Sequence, residues 1–203
     1  RILAGLERAQ RRAVTTEDYA LAIDDAIVEV RGVLKTFSAM LRIAELEDSA
    51  RRAGFCRVDL GQVVQDVIEF YQPIAEDRKI ELRTALLSSG PFVLNGDASL
   101  LFDAIANLID NGLKFTSPGG TVIAELERTV EGIVIAVRDT GCGIPPAERE
   151  AVLRRFYRSE QSRHAPGNGL GLALVAAVAR LHNLSLMIEP ATPGSRVIMH
   201  EDA

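Results

Sequence analysis

The chain has 203 residues, of which 47% are hydrophobic and 25% are charged, and its formal net charge is −5. These values indicate one large or two small globular domains, and they argue against a nucleic-acid partner, since nucleic-acid binders usually carry a basic excess. Two isolated cysteines make no disulfide framework, and no apolar run is long enough to span a bilayer, so we expect no membrane contact from this chain.

The N-terminal part carries a repeated apolar seam. Between residues 19 and 44, apolar side chains recur at alternating steps of four and three, which is typical of helices that pack in bundles. Residues 1–13 repeat this pattern more briefly, and residues 15–18 are typical of a turn and a helix cap. We predict a helical hairpin over residues 1–52 that forms a homodimeric four-helix bundle through residues 1–50. The alternative is that the hairpin packs on the domain that follows.

Residues 55–203 are predicted to form a second domain, because helical and strand-like patterns alternate there. This mixture favours an α+β fold whose second part is a two-layer α/β sandwich, with helices on one face of a mixed sheet. The loop over residues 139–168 is long enough to be a candidate lid. The predicted helices begin after the caps Asp59 and Asp97 and near residues 147 and 169. The predicted strands lie at 80–86, at 91–94 before a turn at Asn95-Gly96, and at 121–129, 132–139, 184–190 and 195–200.

The segment NLIDNGLKFT interrupts an apolar helix with polar residues. At about 100° per residue, Asn107, Asn111 and Lys114 share one side of the helix. Asp103 and Asp110 lie beside them. Asparagine oxygens can ligate Mg²⁺ and lysine attracts phosphate, so this polar stripe is a candidate metal–phosphate site. For this segment alone, a solvated helix face is an equally good alternative.

Two glycine-rich loops follow the stripe. Asp139 ends a predicted strand and begins DTGCG, where the carboxylate can accept from an amino group such as that of adenine, and the glycines let the backbone approach a flat ring. In GNGLGL the glycines precede a helix, whose free amides and positive end can receive phosphate. Each loop alone is a weak signal, because ordinary turns look similar. The second loop does not follow a strand, which rules out a dinucleotide-binding fingerprint.

These segments, taken in order, resemble the nucleotide-binding domain of sensor histidine kinases. That domain belongs to an ATPase superfamily that includes gyrase, the heat-shock chaperones of the ninety-kilodalton class and mismatch-repair proteins. The likeness covers roughly residues 55–200 and implies the histidine-kinase ATPase (Bergerat) sandwich. The matching segments are residues 107–116 for the N box, 139–145 for the first glycine box, 156–158 for the F box and 167–172 for the second glycine box.

The resemblance implies that this chain binds ATP with Mg²⁺. Asn111 would ligate the metal, and Asp139 would bind the adenine amine. Asn107 and Lys114 would lie beside the phosphates. Phe156 would anchor the lid to the core, and the alternative for this residue is a contact with the ligand. The nucleotide-contacting residues that the resemblance implies are Asn107, Asn111, Lys114, Asp139, Gly141, Gly143, Ile144, Tyr157, Arg158, Arg163, Gly167, Asn168, Gly169, Leu170, Gly171 and Leu172.

Asn107 stands at the catalytic position that separates the branches of this superfamily. In the hydrolytic branches the matching residue is a glutamate that activates water. An asparagine amide cannot serve as a general base. The resemblance therefore implies a kinase that delivers the phosphoryl group to another acceptor.

The helical hairpin resembles the dimerisation and histidine-phosphotransfer module of these kinases, but it contains no histidine. All three histidines, His164, His182 and His200, fall in the nucleotide-binding region. We therefore expect the acceptor histidine upstream of Arg1, with relay of the phosphate to an aspartate of a response-regulator receiver domain. The chain would be the cytoplasmic portion of a sensor protein, and a membrane-spanning part could lie further upstream.

Two alternatives stay open. The first is a phosphotransfer or scaffold protein that keeps the dimer but no longer uses ATP, and its N and glycine boxes should be eroded. The second is a serine-directed anti-sigma kinase of the same superfamily, which would lack the helical hairpin.

Overall fold

The structure, a computed structural model, describes residue 7 and residues 15–46, 54–160 and 168–201. The chain divides into two units, residues 1–42 and 43–203. The first predicted helix lies almost entirely outside the described residues, as do residues 52 and 53 of the predicted domain boundary at 52–55. The hairpin, its dimer and that boundary therefore stay predictions.

The long helix α1 runs from Thr16 to Leu46. A reciprocal cap fixes its start. The Thr15 amide donates to Asp18 Oδ2 at 3.0 Å, and the Asp18 amide donates to Thr15 Oγ1 at 3.1 Å, which confirms the predicted cap. Several apolar residues of the seam of this helix are exposed, and they include Tyr19, Ile23, Val30, Phe37 and Met40.

In the part of the chain that the structure describes, seven strands form two sheets: β1 (Cys56–Asp59), β2 (Glu81–Leu86), β3 (Val93–Gly96), β4 (Thr121–Arg128), β5 (Ile133–Asp139), β6 (Leu184–Pro190) and β7 (Ser195–Glu201). The larger sheet has the order β2-β4-β5-β7-β6, with β2 parallel to β4 and the other pairs antiparallel, so the predicted mixed sheet is confirmed. β1 and β3 form a separate antiparallel pair. The predicted turn at Asn95-Gly96 is wrong, because these residues lie in β3 and pair with Arg57 and Cys56.

Among the described helices, three pack against the larger sheet: α2 (Leu60–Asp77), α3 (Ala98–Phe115) and α4 (Gly171–Leu181). α3 contacts both other helices as well as β4 and β5, so it lies at the centre of the helical layer. Apolar side chains fill the space between the layers, and they include Val64, Val67, Leu101, Ile105, Val122, Ile135 and Val178.

Helices α2 and α3 begin after the cap residues that the sequence predicts. Asp59 accepts from the amide of Gly61 to cap α2, and Asp97 caps α3 in the same way, as predicted. The short helical piece expected near residue 147 is instead two 3-10 turns, Pro146–Glu148 and Ala151–Leu153. Among the helices that the structure describes, none is both long and apolar enough to cross a bilayer.

A buried histidine joins the start of α3 to the end of α4. His182 Nε2 accepts from the Asp97 amide at 3.0 Å, and the bond between Nδ1 and the Val178 carbonyl oxygen is 2.8 Å long. Nδ1 therefore carries the proton, because a carbonyl oxygen only accepts. The ring of Phe55 stacks on this imidazole with 4.7 Å between the ring centroids. His182 thus fixes the two helices that carry the N box and the second glycine box.

A charged pair sits on the face of the sheet away from α3. Arg196 Nε donates to Glu125 Oε2 at 2.7 Å, and Glu125 is only 8% exposed. A second carboxylate, that of Glu189, lies 3.3 Å from Arg196 Nη1. Burial lowers the pKa of Arg196, but the hydrogen bonds and charges of Glu125 and Glu189 outweigh burial and raise that pKa.

Replacing Arg196 by Met is expected to lower the free energy of unfolding by about 2 to 4 kcal/mol, because Glu125 would remain buried without its partner. Urea denaturation measures this change. The double replacement Arg196→Met with Glu125→Leu removes both charges and is expected to recover most of the loss. If the single and double variants are equally destabilised, the buried pair is not the cause.

Candidate functional site

The polar stripe predicted on α3 is half-buried rather than solvated. Asn107, Asn111 and Lys114 all have intermediate exposure. The opposite side of the helix is core, as predicted, and its buried members include Leu101, Ala104, Ile105, Leu108 and Gly112. The alternative of a fully solvated helix face therefore does not fit, because another part of the chain covers the stripe in part.

The start of α4 is what lies against this stripe. A methyl group on Gly171 would be 3.1 Å from Asn107 Oδ1 and 3.6 Å from Asn111 Nδ2. Asn107 Nδ2 donates to the Asp103 carbonyl oxygen at 2.7 Å, which leaves Asn107 Oδ1 facing α4. The fold thus brings the asparagines and the second glycine-rich loop together, and the missing side chain of Gly171 keeps space between them.

Acidic residues flank the stripe on the side of α2. Lys114 forms an ion pair with Asp110, one turn earlier on α3. Tyr71 of α2 is close to the same carboxylates. Burial and, to a smaller extent, the negative charges of Asp110 and Asp103 raise the pKa of Tyr71 to about 12. The phenol is therefore neutral at physiological pH.

Asp139 is a buried carboxylate at the end of β5, with 8% exposure. Its Oδ1 accepts from the Gly141 amide at 2.8 Å, and its Oδ2 accepts from the Ser195 hydroxyl at 2.6 Å. A carboxylate has about four lone-pair sites, so two of them can still accept from a ligand amine. A methyl group on Gly141 would lie 2.4 Å from the Phe115 carbonyl oxygen. This glycine therefore lets the loop pack on the end of α3, beside the stripe.

The turn between β6 and β7 lies against Asp139 and Gly143, and it was not among the predicted site residues. A methyl group on Gly194 would lie 1.9 Å from the Asp139 carbonyl oxygen, and one on Gly143 would lie 2.9 Å from the Gly194 carbonyl oxygen. Ser195 adds the hydrogen bond that orients Asp139. The triplet Pro-Gly-Ser between two predicted strands signalled a turn, but nothing local signalled which loop the turn would meet.

The F box and the second glycine box are joined through their backbones. The Phe156 amide donates to the Gly169 carbonyl oxygen at 2.9 Å. A methyl group on Gly169 would lie 2.5 Å from the Tyr157 carbonyl oxygen. The Phe156 side chain is 53% exposed, so its predicted role as an anchor to the core is wrong. The attachment is made by the backbone of this residue, while its ring faces solvent.

The remaining predicted pocket residues differ in exposure. Leu170 is buried, which agrees with a packing role. Ile144, Tyr157, Arg158, Gly169, Gly171 and Leu172 are half-buried, and Asn168 is exposed. Arg163 and Gly167 lie outside the described residues. The contacts of all these residues with a nucleotide stay predictions.

The donor set suits a magnesium ion that arrives with phosphates. Among the described residues, no three His, Cys, Asp or Glu side chains gather into a metal-binding cluster. Mg²⁺ bound with a nucleotide needs few protein ligands, since phosphate and water oxygens supply the others. The amide of Asn111, with the space that Gly171 leaves, fits that requirement.

Known proteins resemble this chain in sequence and structure. The chain is 30% identical over 183 residues to the sensor protein IrlS of Burkholderia pseudomallei, which covers 89% of this chain and 39% of IrlS. It is 36% identical over 166 residues to the signal transduction histidine-protein kinase/phosphatase MprB of Mycolicibacterium paratuberculosis, which covers 76% of this chain and 31% of MprB. A solved structure of the mycobacterial sensor histidine kinase MprB matches with a TM-score of 0.60 and 31% identity, covering 73% of this chain and 99% of that one.

The chain therefore spans less than two fifths of the length of these two curated relatives. Residues 96–201 match the family of histidine kinase-, DNA gyrase B- and HSP90-like ATPases, and this range contains the stripe, Asp139 and both glycine-rich loops. The chain belongs to this family and carries the ATP-binding domain of a sensor histidine kinase.

Proposed function

We propose that this chain binds ATP with Mg²⁺ and transfers the terminal phosphoryl group to a histidine, which passes it to an aspartate of a response-regulator receiver domain. The observation that carries the proposal is the approach of Gly171 to Asn107 and Asn111, which joins the N box and the second glycine box in one site. Such transfer depends mostly on positioning and charge neutralisation, and a site of this kind can supply both.

Each part of the site has a role in the proposal. Asp139 binds the adenine amine, and Asn111 ligates Mg²⁺, which neutralises phosphate charge when it is bound. Lys114 and the free amides at the start of α4 bind the phosphate chain. The other proposed nucleotide contacts are Asn107, Gly141, Gly143, Ile144, Tyr157, Arg158, Arg163, Gly167, Asn168, Gly169, Leu170, Gly171 and Leu172.

Asn107 favours transfer over hydrolysis. Its amide cannot take a proton from water, and its nitrogen already donates to the Asp103 carbonyl oxygen. We therefore give Asn107 a catalytic role in orienting the phosphates through Oδ1. This residue would contact the transferred group without activating a water molecule.

The proposed acceptor is a histidine outside this chain. His182 is buried and both of its ring nitrogens are hydrogen-bonded within the fold, so phosphorylation of it would require local unfolding. His200 lies in β7, and Asp139 and the rest of the candidate pocket lie at the opposite end of the paired strand β5. Neither residue is placed to receive a phosphoryl group from that pocket.

The exposed seam of α1 supports the proposed homodimer through residues 1–50. A helix with large apolar side chains along one stripe is stable in water only when that stripe is covered. We also infer a cytoplasmic location, where ATP is abundant. Free Cys56 and Cys142 agree with a reducing compartment.

Radiolabelling of the full-length protein that contains residues 1–203 tests this function. After incubation with Mg²⁺ and ATP labelled at the γ-phosphate, we expect a protein-bound phosphate that is labile in acid and stable in base, as a phosphohistidine is. An acid-stable label would favour the serine-directed kinase. No label, together with no nucleotide binding, would favour the scaffold protein.

A further inference from the structure

The lysine of the stripe is already engaged by a carboxylate. Lys114 and Asp110 form an ion pair in which the side chains are only 18% and 28% exposed. By contrast, Arg83 and Glu81 form a surface pair with side chains that are 55% and 63% exposed. Because solvent screens the Lys114 pair less, it has the larger effect of the two. A phosphate that binds Lys114 must therefore compete with Asp110.

The surroundings of Asp110 strengthen this competition. Asp103 lies two turns earlier on the same side of α3, and the negative charges of both carboxylates reach Tyr71 of α2. Asp110 is itself half-buried, so solvent screens its charge only in part. A polyphosphate that approaches Asn107 and Asn111 is repelled by the Asp110 carboxylate unless Lys114 turns toward the phosphate.

We propose that Asp110 sets the affinity of this site for the phosphate chain. Asp110 keeps the Lys114 ammonium in an ion pair until a di- or triphosphate displaces the carboxylate. This inference rests on the proposed function. Lysine is a flexible point charge with three donors, so it can exchange one anion for another without a change in the backbone. Breaking the pair with Asp110 offsets part of the attraction between Lys114 and phosphate. The phosphates therefore contribute less to nucleotide affinity than they would if Lys114 were not paired with Asp110.

Replacement of Asp110 by Asn tests the inference, with isothermal titration calorimetry of the whole chain. ADP and ATP are expected to bind about threefold to tenfold more tightly than to the wild type, as expected for loss of a competing ion pair. Adenosine, which has no phosphate, is expected to show no change. Glu131→Gln is the matched control, because it removes the same charge in the turn between β4 and β5, at the end of β5 away from Asp139.

The sign of the change separates this inference from a simpler role. If Asp110 only held Lys114 in place for the phosphates, Asp110→Asn would weaken ADP and ATP binding or leave it unchanged, and either result overturns the inference. If the wild type bound no ADP at all, the proposed function itself would fail.

A double replacement tests the dependence on Lys114. In a Lys114→Gln background, the additional change Asp110→Asn is expected to alter ADP affinity by less than about twofold, because no ammonium remains to be released. If ADP affinity rose as much as it does when Asp110→Asn is made in the wild type, Asp110 would act by direct repulsion of phosphate. That result would contradict a mechanism in which Asp110 acts by pairing with Lys114.

Discussion

ADP is expected to bind about 100-fold more weakly when Asp139 is replaced by Asn, which corresponds to about 2.7 kcal/mol. The replacement keeps the shape of the side chain but turns one acceptor oxygen into a donor. The Gly141 amide and the Ser195 hydroxyl both donate to Asp139. The one side-chain oxygen of an asparagine cannot accept hydrogen bonds from both of these donors and from a ligand amine. The measurement is the rise in melting temperature on addition of millimolar ADP, which should almost vanish.

Ser195→Ala is the companion variant for this prediction. It removes one hydrogen bond to Asp139 but keeps the carboxylate, so ADP affinity should fall by less than about tenfold. An Asp139→Asn protein whose melting temperature rises with ADP as much as that of the wild type would contradict the role given to this carboxylate.

Gly194→Ala is expected to lower the free energy of unfolding by about 3 kcal/mol or more and to weaken ADP binding. The added methyl group would lie 1.9 Å from the Asp139 carbonyl oxygen and 2.6 Å from its carbonyl carbon. Both are backbone atoms at the end of β5, so relief requires that the strand end or the turn between β6 and β7 move. Gly194 also has φ of +102°, which disfavours any side chain. Urea denaturation gives the stability change, and calorimetry gives the affinity.

Gly119→Ala separates the steric effect from the backbone effect. Gly119 has φ of +85°, but no atom lies within 4 Å of a methyl group there. This control is expected to cost about 1 to 2 kcal/mol, from the left-handed conformation alone, and to leave ADP affinity unchanged. Equal losses for the two variants would mean that the close approach of Gly194 to Asp139 has no energetic importance.

Local patterns predicted the parts of the site that lie on one element. The helical period placed Asn107 and Asn111 on one side of α3 and the buried Ile105 on the other, because each turn of a helix repeats the same face. Asp59 and Asp97 are caps because a carboxylate before an apolar run can accept the free amides of a helix start. These features depend on residues a few positions apart, so the sequence alone reveals them.

Contacts between distant segments could not be predicted in this way. Ser195 and Asp139 are 56 residues apart, and they meet because β7 pairs with β5. The strand order is a property of the whole sheet, and no local pattern encodes it. Gly112 is a similar case in the interior of α3. A methyl group there would lie 3.0 Å from Val122 Cγ1, so this glycine allows α3 to pack closely on β4.

The exposed ring of Phe156 shows a different limit. The match of residues 156–158 to the F box implied that Phe156 anchors the lid to the core. Phe156 instead has φ of 64°, and its amide is bonded to the Gly169 carbonyl oxygen. Because of these backbone constraints the side chain points to solvent. The residue type of Phe156 does not reveal its φ angle or its hydrogen bond to Gly169.

Isothermal titration calorimetry of the wild-type chain with ADP, with and without Mg²⁺, tests the central claim most directly. We expect saturable binding of one ADP per chain, with an affinity that rises on addition of Mg²⁺. The rise with Mg²⁺ should be lost in Asn111→Ala, which lacks the proposed metal ligand. No detectable binding to the wild type at millimolar ADP would contradict the claim that this chain uses ATP.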